Sequence, residues 1–314
     1  MDIQKFNTEI GDRLGGTMTS IILKKAFTTE KTLLDSAREI RLRTSMPLCI
    51  TLAGKIKNIF LGRNGSFVSE KESYIISKEE IDKIFSGICQ NSLYAYKEDV
   101  KNGFITLKGG HRVGIAGKML PDGSIYDVSA MNIRISRQVR GCSKNIINHI
   151  IKNENEIYNT LIISPPACGK TTIIRDLARI LGQKSNLFSG ACIGIIDERS
   201  EIAACYNGAP SNDVGIMTDI YDACPKEKGI IMMIRSMAPE IIITDEIGSK
   251  GDAAAVASAI NAGVKIIATA HGNNIADVKA RREISEIIAS GVFEKFIILN
   301  SKKGPGTIEQ ILKA

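Results

Sequence analysis

Over residues 151–314, short apolar runs rich in isoleucine alternate with stretches whose apolar positions recur at helical spacing. The runs fall at 159–164 (NTLIIS), 192–196 (CIGII), 240–244 (EIIIT), 264–269 (VKIIAT), 295–300 (KFIILN) and 307–312 (TIEQIL). Most are apolar on both faces, which suits buried, largely parallel strands better than half-exposed antiparallel ones. Between them the pattern predicts helices at 171–182 and 252–263, each closed by a glycine, Gly182 and Gly263. Strand and helix in alternation predict an α/β domain with a mainly parallel, doubly wound sheet.

The first half is less regular and reads as a smaller α+β domain. Helical spacing occurs at 31–41, 78–89 and 142–153, and strand-like alternation at 47–61 and 103–118, with turn signals at Gly109-Gly110 and Pro121-Asp122-Gly123. The polar stretch Asn148 to Asn159 predicts a boundary, giving domains 1–150 and 151–314. At roughly 150 residues per domain, a chain of 314 residues holds two.

Composition narrows the class. A 44% hydrophobic content excludes disorder, and no stretch supplies the roughly 18 uncharged apolar residues of a membrane span. The start, Met1-Asp2-Ile3-Gln4-Lys5, lacks the apolar core of a secretory signal, so a cytoplasmic location is expected. Seven cysteines are scattered without a Cys-x-x-Cys pair, which indicates neither a disulfide framework nor a zinc site. The net charge of +7 is uneven: residues 1–150 hold 23 Lys+Arg against 15 Asp+Glu, and residues 151–314 hold 18 against 19. A basic domain beside a neutral one suits nucleic acid, an anionic membrane surface or the phosphates of a nucleotide; a solvated lysine-rich surface gives the same excess. Few aromatics interleave with the basic residues and no recognition motif stands out, so nucleic acid is not an expected partner.

The strongest chemical signal is Ser164-Pro165-Pro166-Ala167-Cys168-Gly169-Lys170-Thr171-Thr172, placed after an apolar strand and before a helix. It matches G-x-x-x-x-G-K-[ST] except that Ser164 stands in place of the first glycine. In such a loop successive backbone N–H groups and the positive end of the helix converge on a phosphate. Lys170 would reach the β- and γ-phosphates, Thr171 would bind Mg²⁺, and Thr172 would touch the α-phosphate. Prolines 165 and 166 stiffen the entry, so the bend could form without that glycine. Cys168, at a helix start beside Lys170, is expected to be a reactive thiol that MgATP protects, or a small loop filler.

Hydrolysis needs acid on a neighbouring strand, and Ile241-Ile242-Ile243-Thr244-Asp245-Glu246 offers it. Asp245 would support the metal and Glu246 would orient or deprotonate water. Two further strands run into Asp197-Glu198-Arg199-Ser200-Glu201 and Thr269-Ala270-His271. At the carboxyl edge of a parallel sheet, Asp197, Glu198, Glu201 and His271 become catalytic candidates, with Thr269 beside them.

The run Arg235-Ser236-Met237-Ala238-Pro239-Glu240, then IIITDE, an Ala-rich helix and Thr269-Ala270-His271, resembles the core of type II and type IV secretion ATPases. The phrases Glu39-Ile40-Arg41-Leu42-Arg43, Gly103-Phe104-Ile105-Thr106, Gly109-Gly110-His111-Arg112-Val113-Gly114, Asn132-Ile133-Arg134-Ile135 and Asp197 to Glu201 resemble the stage III sporulation protein AA family from about residue 35 onward. Ser164 and Gly248-Ser249-Lys250 depart from the patterns of the secretion enzymes. The resemblance implies a RecA-like ATPase using ATP and Mg²⁺, working as a self-assembled ring, a hexamer. Its place would be the mother-cell cytoplasm, at the face of a channel to the forespore, recruited by membrane proteins of that channel such as a stage III sporulation protein AB-like platform. It also implies that the basic N-terminal domain closes over nucleotide, with Arg112, Arg134, Arg137 and Arg140 as candidate clamps. Two alternatives stay open: a RecA-like nucleic-acid motor and a non-hydrolysing nucleotide-bound scaffold.

Overall fold

Strand β1 (Ala37–Arg43) alternates strictly at its end: Ile40 and Leu42 point inward, while Arg41 and Arg43 point to solvent. It is the centre of an antiparallel sheet completed by β2 (Cys49–Leu52), β3 (Asn58–Leu61), β4 (Phe67–Val68), β5 (Phe104–Thr106), β6 (Arg112–Met119) and β7 (Ile125–Arg134), in the order β4-β3-β2-β1-β7-β6-β5. Helices α1 (Ile3–Glu9), α2 (Met18–Thr29) and α4 (Lys78–Ile88), the last following the short α3 (Lys31–Ser36), bury its inner face through Phe6, Ile22, Phe27, Ile81 and Ile84. A further short helix, α5 (Lys97–Lys101), precedes β5. This is the N-terminal unit, Met1–Arg137, in a computed structural model that describes residues 1–52 and 57–314. The predicted strand at 47–61 is found as β2 and β3, and its middle lies outside the described residues. The helix predicted at 31–41 stops at Ser36, because from Ala37 onward burial alternates with period two.

The C-terminal unit, Gln138–Ala314, is a three-layer α/β structure. After α6 (Lys144–Ile150) and a small ribbon, β8 (Ile151–Asn153) with β9 (Glu156–Ile157), come β10 (Thr160–Ser164) and α7 (Lys170–Leu181). Then follow β11 (Ile193–Asp197), a second ribbon of β12 (Cys205–Tyr206) with β13 (Ala209–Pro210), β14 (Thr218–Asp222), α8 (Lys226–Met237), β15 (Ile241–Glu246) and α9 (Lys250–Asn261). The chain closes with β16 (Lys265–His271), α10 (Ile275–Lys279), α11 (Arg282–Ala289), β17 (Lys295–Asn300) and β18 (Thr307–Lys313). The large sheet has the order β14-β11-β15-β16-β10-β17-β18; all its pairings are parallel except β17 with β18.

The isoleucine-rich runs are explained by this layering. In β10, Ile162 packs into the core under α7, while Leu161 and Ile163 pack into the core under α8, α9 and α11. In β15, Ile241 and Ile243 face the first core and Ile242 the second. A strand covered on both faces gains about 1.5–3 kcal/mol from each such side chain, so polar residues are confined to its ends.

The two units divide at Arg137/Gln138, upstream of the polar stretch expected to separate them. Helix α6 buries Ile146, Ile147 and Ile150 in the core of α7. In addition, the buried Asp176 of α7 accepts N–H bonds from Gly141 at 3.0 Å and Ser143 at 2.9 Å, and pairs with Arg179 at 2.7 Å. Burial favours its protonated form, but the N–H groups of Ser143 and Gly141, the Ser143 hydroxyl and Arg179 hold the carboxyl below its usual range. These bonds tie residues 141–143 to the C-terminal unit. Among the described residues no helix is long and apolar enough to cross a membrane.

Candidate functional site

Because β10, β11, β15 and β16 run parallel, their carboxyl ends share one edge of the sheet. Strand β16 lies between β10 and β15, and the register pairs Ser164 with His271 and Glu246 with Thr269. Ser164, Asp197, Glu246 and His271 are thus each the last residue of a strand on that edge.

Residues 165–169 form a turn between β10 and α7. Ser164, where the sequence pattern lacks its glycine, remains an extended strand residue, fully buried, so glycine is not needed there. The left-handed positions are Ala167 (φ 60°) and Gly169 (φ 85°), the latter capping α7. The Ser164 hydroxyl donates to the Pro165 carbonyl at 2.8 Å. Pro165, Pro166 and Ala167 therefore shape the turn, and Thr171 and Thr172 lie half-buried in the first turn of α7. Cys168 is buried, with 4% of its surface exposed, and its carbonyl accepts from Gly306 N–H at 2.8 Å. Of the two expectations for this thiol, the loop filler is the one its burial supports; a reagent has little access.

Lys170 begins α7 and its ammonium folds back over the loop. It donates to the Ser164 carbonyl at 2.8 Å and lies 3.1 Å from His271 Nδ1. His271 Nε2 in turn lies 2.9 Å from Glu246 Oε2. Lysine, imidazole and carboxylate therefore form one chain across β10, β16 and β15. Burial pushes the Lys170 ammonium down, Glu246 opposes this, and Arg281 adds to the push.

The second cluster joins β11 and β15. Asp245 is buried, and its Oδ1 lies 2.8 Å from Lys226 Nζ in an ion pair without hydrogen-bond alignment. Lys226 also meets Glu198. Burial raises the Asp245 carboxyl to about 6, Lys226 opposes the rise, and the charges of Asp197 and Glu198 add to it. Lys226 would be lowered by its burial, yet Asp245 and Glu198 outweigh this and raise it.

Asp197 takes a different part from its neighbours. Fully buried, it accepts N–H bonds from Glu201 at 2.8 Å, Ile202 at 3.0 Å and Ala203 at 2.9 Å. Arg175 of α7 donates to the carbonyls of Ile202, at 2.6 Å, and Glu201. These bonds fold the segment after β11 and fasten it to α7. Thr269 is buried within β16.

Lys226, Arg175 and Arg281 were not found by sequence reasoning. Lys226 follows Pro225 at the start of a helix, a position where a lysine gives no sign that it turns inward. Arg112 and Arg134 belong to the N-terminal unit, the former 3.4 Å above the Phe104 ring and the latter exposed. Arg137 donates to the carbonyls of Leu34 and Ala37 within that unit, and Arg140 pairs with Asp213 at 3.0 Å in the C-terminal one. The last two arginines are thereby occupied.

A magnesium ion would be offered the Asp245 carboxylate at the end of β15 and the Thr171 hydroxyl at the start of α7, hard oxygens of the kind that ion prefers. An Asp245 oxygen with no aligned hydrogen bond, amid an excess of carboxylates over ammonium, fits such an ion.

The fold is of the RecA-like α/β class. The chain superposes on the Legionella pneumophila ATPase DotB with a TM-score of 0.57 at 13% identity, covering 88% of this chain and 75% of that one. The pilus retraction motor PilT, solved with bound ADP, gives a TM-score of 0.55 at 14% identity over 87% of this chain and 76% of that one. More specifically, the chain belongs to the family described as Sporulation stage III, protein AA, whose profile matches residues 12–314. Stage III sporulation protein AA of Bacillus subtilis (strain 168) is 41% identical over 243 residues, 76% of this chain and 78% of that protein.

Proposed function

We propose that this sporulation protein binds MgATP at the edge of the large sheet and hydrolyses it as a ring-forming motor serving a secretion-like channel between mother cell and forespore. The observation that carries the reading is the chain Lys170–His271–Glu246, which links the phosphate loop to a strand-end carboxylate through one imidazole. Lys170 and the N–H groups at the start of α7 would hold the phosphates, with Thr172 at the α-phosphate. Asp245 and Thr171 would hold Mg²⁺, which supplies charge neutralisation between the phosphates.

Glu246 would accept a proton from the attacking water, or orient it, and His271 would set the position of Glu246 and Lys170 together. Asp197 and Glu201 would act by positioning the segment after β11, and Glu198 by its charge beside Asp245. In an assembled ring, Arg112 and Arg134 are the candidates for stabilising charge on the transferring phosphate. The similar fold of DotB and PilT supports the motor reading, as does the family's place in sporulation. Peripheral recruitment from the mother-cell cytoplasm to a membrane platform completes it.

Steady-state phosphate release by wild type, Lys170→Ala and Glu246→Gln tests the proposal. Release by wild type that both variants lose supports it. Equal release by all three, with the membrane partner present, defeats it.

A further inference from the structure

The buried lysine of the second cluster goes beyond binding and hydrolysis. We infer that Lys226 is a tethered counter-cation that holds Asp245 while the site is empty of nucleotide and moves onto Glu198 when a magnesium nucleotide takes Asp245; this rests on the nucleotide reading above. Lys226 is 4% exposed, so its charge sits where an unpaired ammonium is strongly disfavoured. What holds it there is a carboxylate from each of two strands, Asp245 of β15 at 2.8 Å and Glu198 following β11.

The two partners are unequal. Asp245 is buried, whereas the Glu198 side chain is 41% exposed and can follow the ammonium as it turns. An ammonium and a divalent metal cannot share one carboxylate oxygen at close range without strong repulsion. Glu198 already contacts Lys226, so the exchange needs a rotation of the lysine side chain and no displacement of α8. The neighbouring Asp197, which also bears on Asp245, leaves the cluster short of positive charge even with Lys226 in place. Lys226 is on this account a positioning residue that sets how much metal the site demands.

The test uses the full-length chain, a fluorescent ATP analogue and a MgCl₂ titration. Lys226→Met removes the competitor, and the half-saturating Mg²⁺ concentration should fall at least about fivefold, the lower end of coupling between linked sites. Glu198→Gln removes the second partner, strengthens the hold on Asp245 and should raise that concentration. Loss of a charge beside the metal would by itself move the two variants in these directions independently, whereas in the exchange Glu198→Gln acts through Lys226. The Lys226→Met/Glu198→Gln double variant should therefore match Lys226→Met, and additive shifts would overturn the exchange.

Without nucleotide, Lys226→Met should lower the thermal midpoint, and adding Asp245→Asn should restore part of the loss. The inference is overturned if the analogue saturates wild type normally but neither variant changes the Mg²⁺ requirement, or if both shift it the same way. Absence of analogue binding by wild type at any Mg²⁺ concentration would sink the nucleotide reading itself, and this inference with it.

Discussion

Asp245→Asn should make the protein more stable while removing the carboxylate that the proposed function assigns to magnesium. Burial raises this carboxyl from 3.8 to about 6. At 1.36 kcal/mol for each tenfold change, that difference is about 3 kcal/mol against the charged form. The sign follows from linkage. The folded state binds the proton more tightly than the unfolded state, so the penalty is absent below the unfolded value, grows as pH rises, and is complete above about 6. Asparagine carries no charge at any pH. It should therefore outlast wild type by about 3 kcal/mol near pH 8 and by only about 1 kcal/mol near pH 4.5. With no tryptophan in the chain, the assay is urea denaturation followed by hydrogen exchange in peptides covering β15, which reports the unit that contains the site. Wild type more stable than the variant near pH 8, or a difference that ignores pH, would show that the Asp245 charge carries no such penalty.

Other changes probe the rest of the site. His271→Ala breaks the link between Lys170 and Glu246 and should lower kcat for phosphate release by about 10²–10⁴, a typical size for a positioned proton-transfer system, as steady-state assays would show. Gly169→Ala forces a β-carbon into a left-handed position within 3.4 Å of Pro305; calorimetric melting should show a loss of about 1–2 kcal/mol, and an unchanged midpoint would contradict it. Asp176→Ala strands the N–H groups of Gly141 and Ser143 and the Arg179 guanidinium, and should cost about 3–5 kcal/mol in urea denaturation. Cys168 should react with iodoacetamide far more slowly than the partly exposed Cys224, with or without nucleotide; mass spectrometry of labelled peptides would reveal any MgATP-dependent protection.

Much of the C-terminal unit was legible because a strand buried on both faces has to be apolar throughout. The runs around Leu161, Ile195, Ile242, Ile267 and Ile297 announced the sheet, and polar residues at their ends announced its edge. Ser164, Glu246 and His271 were found by that logic, and the register pairs β10 with β16 and β16 with β15 as their placement requires. The N-terminal unit was harder to read. Residues 31–43 change from helix to strand within one continuous pattern, and β7 was missed because its apolar positions are interrupted by Tyr126, Asp127 and Ser129. The boundary was read from the polar stretch Asn148 to Asn159, but the chain divides at Arg137/Gln138, because Asp176 and the isoleucines of α6 hold residues 141–150 in the C-terminal unit. Lys226 escaped notice for a simpler reason: sequence shows a charge but not whether its neighbours in space are carboxylates.

The most direct measurement is calorimetric titration of MgATP into the full chain and into Lys170→Ala. One binding event per chain is expected in wild type and none in the variant. Heat that is the same for both proteins, or no heat with wild type, would contradict a nucleotide site at the end of β10.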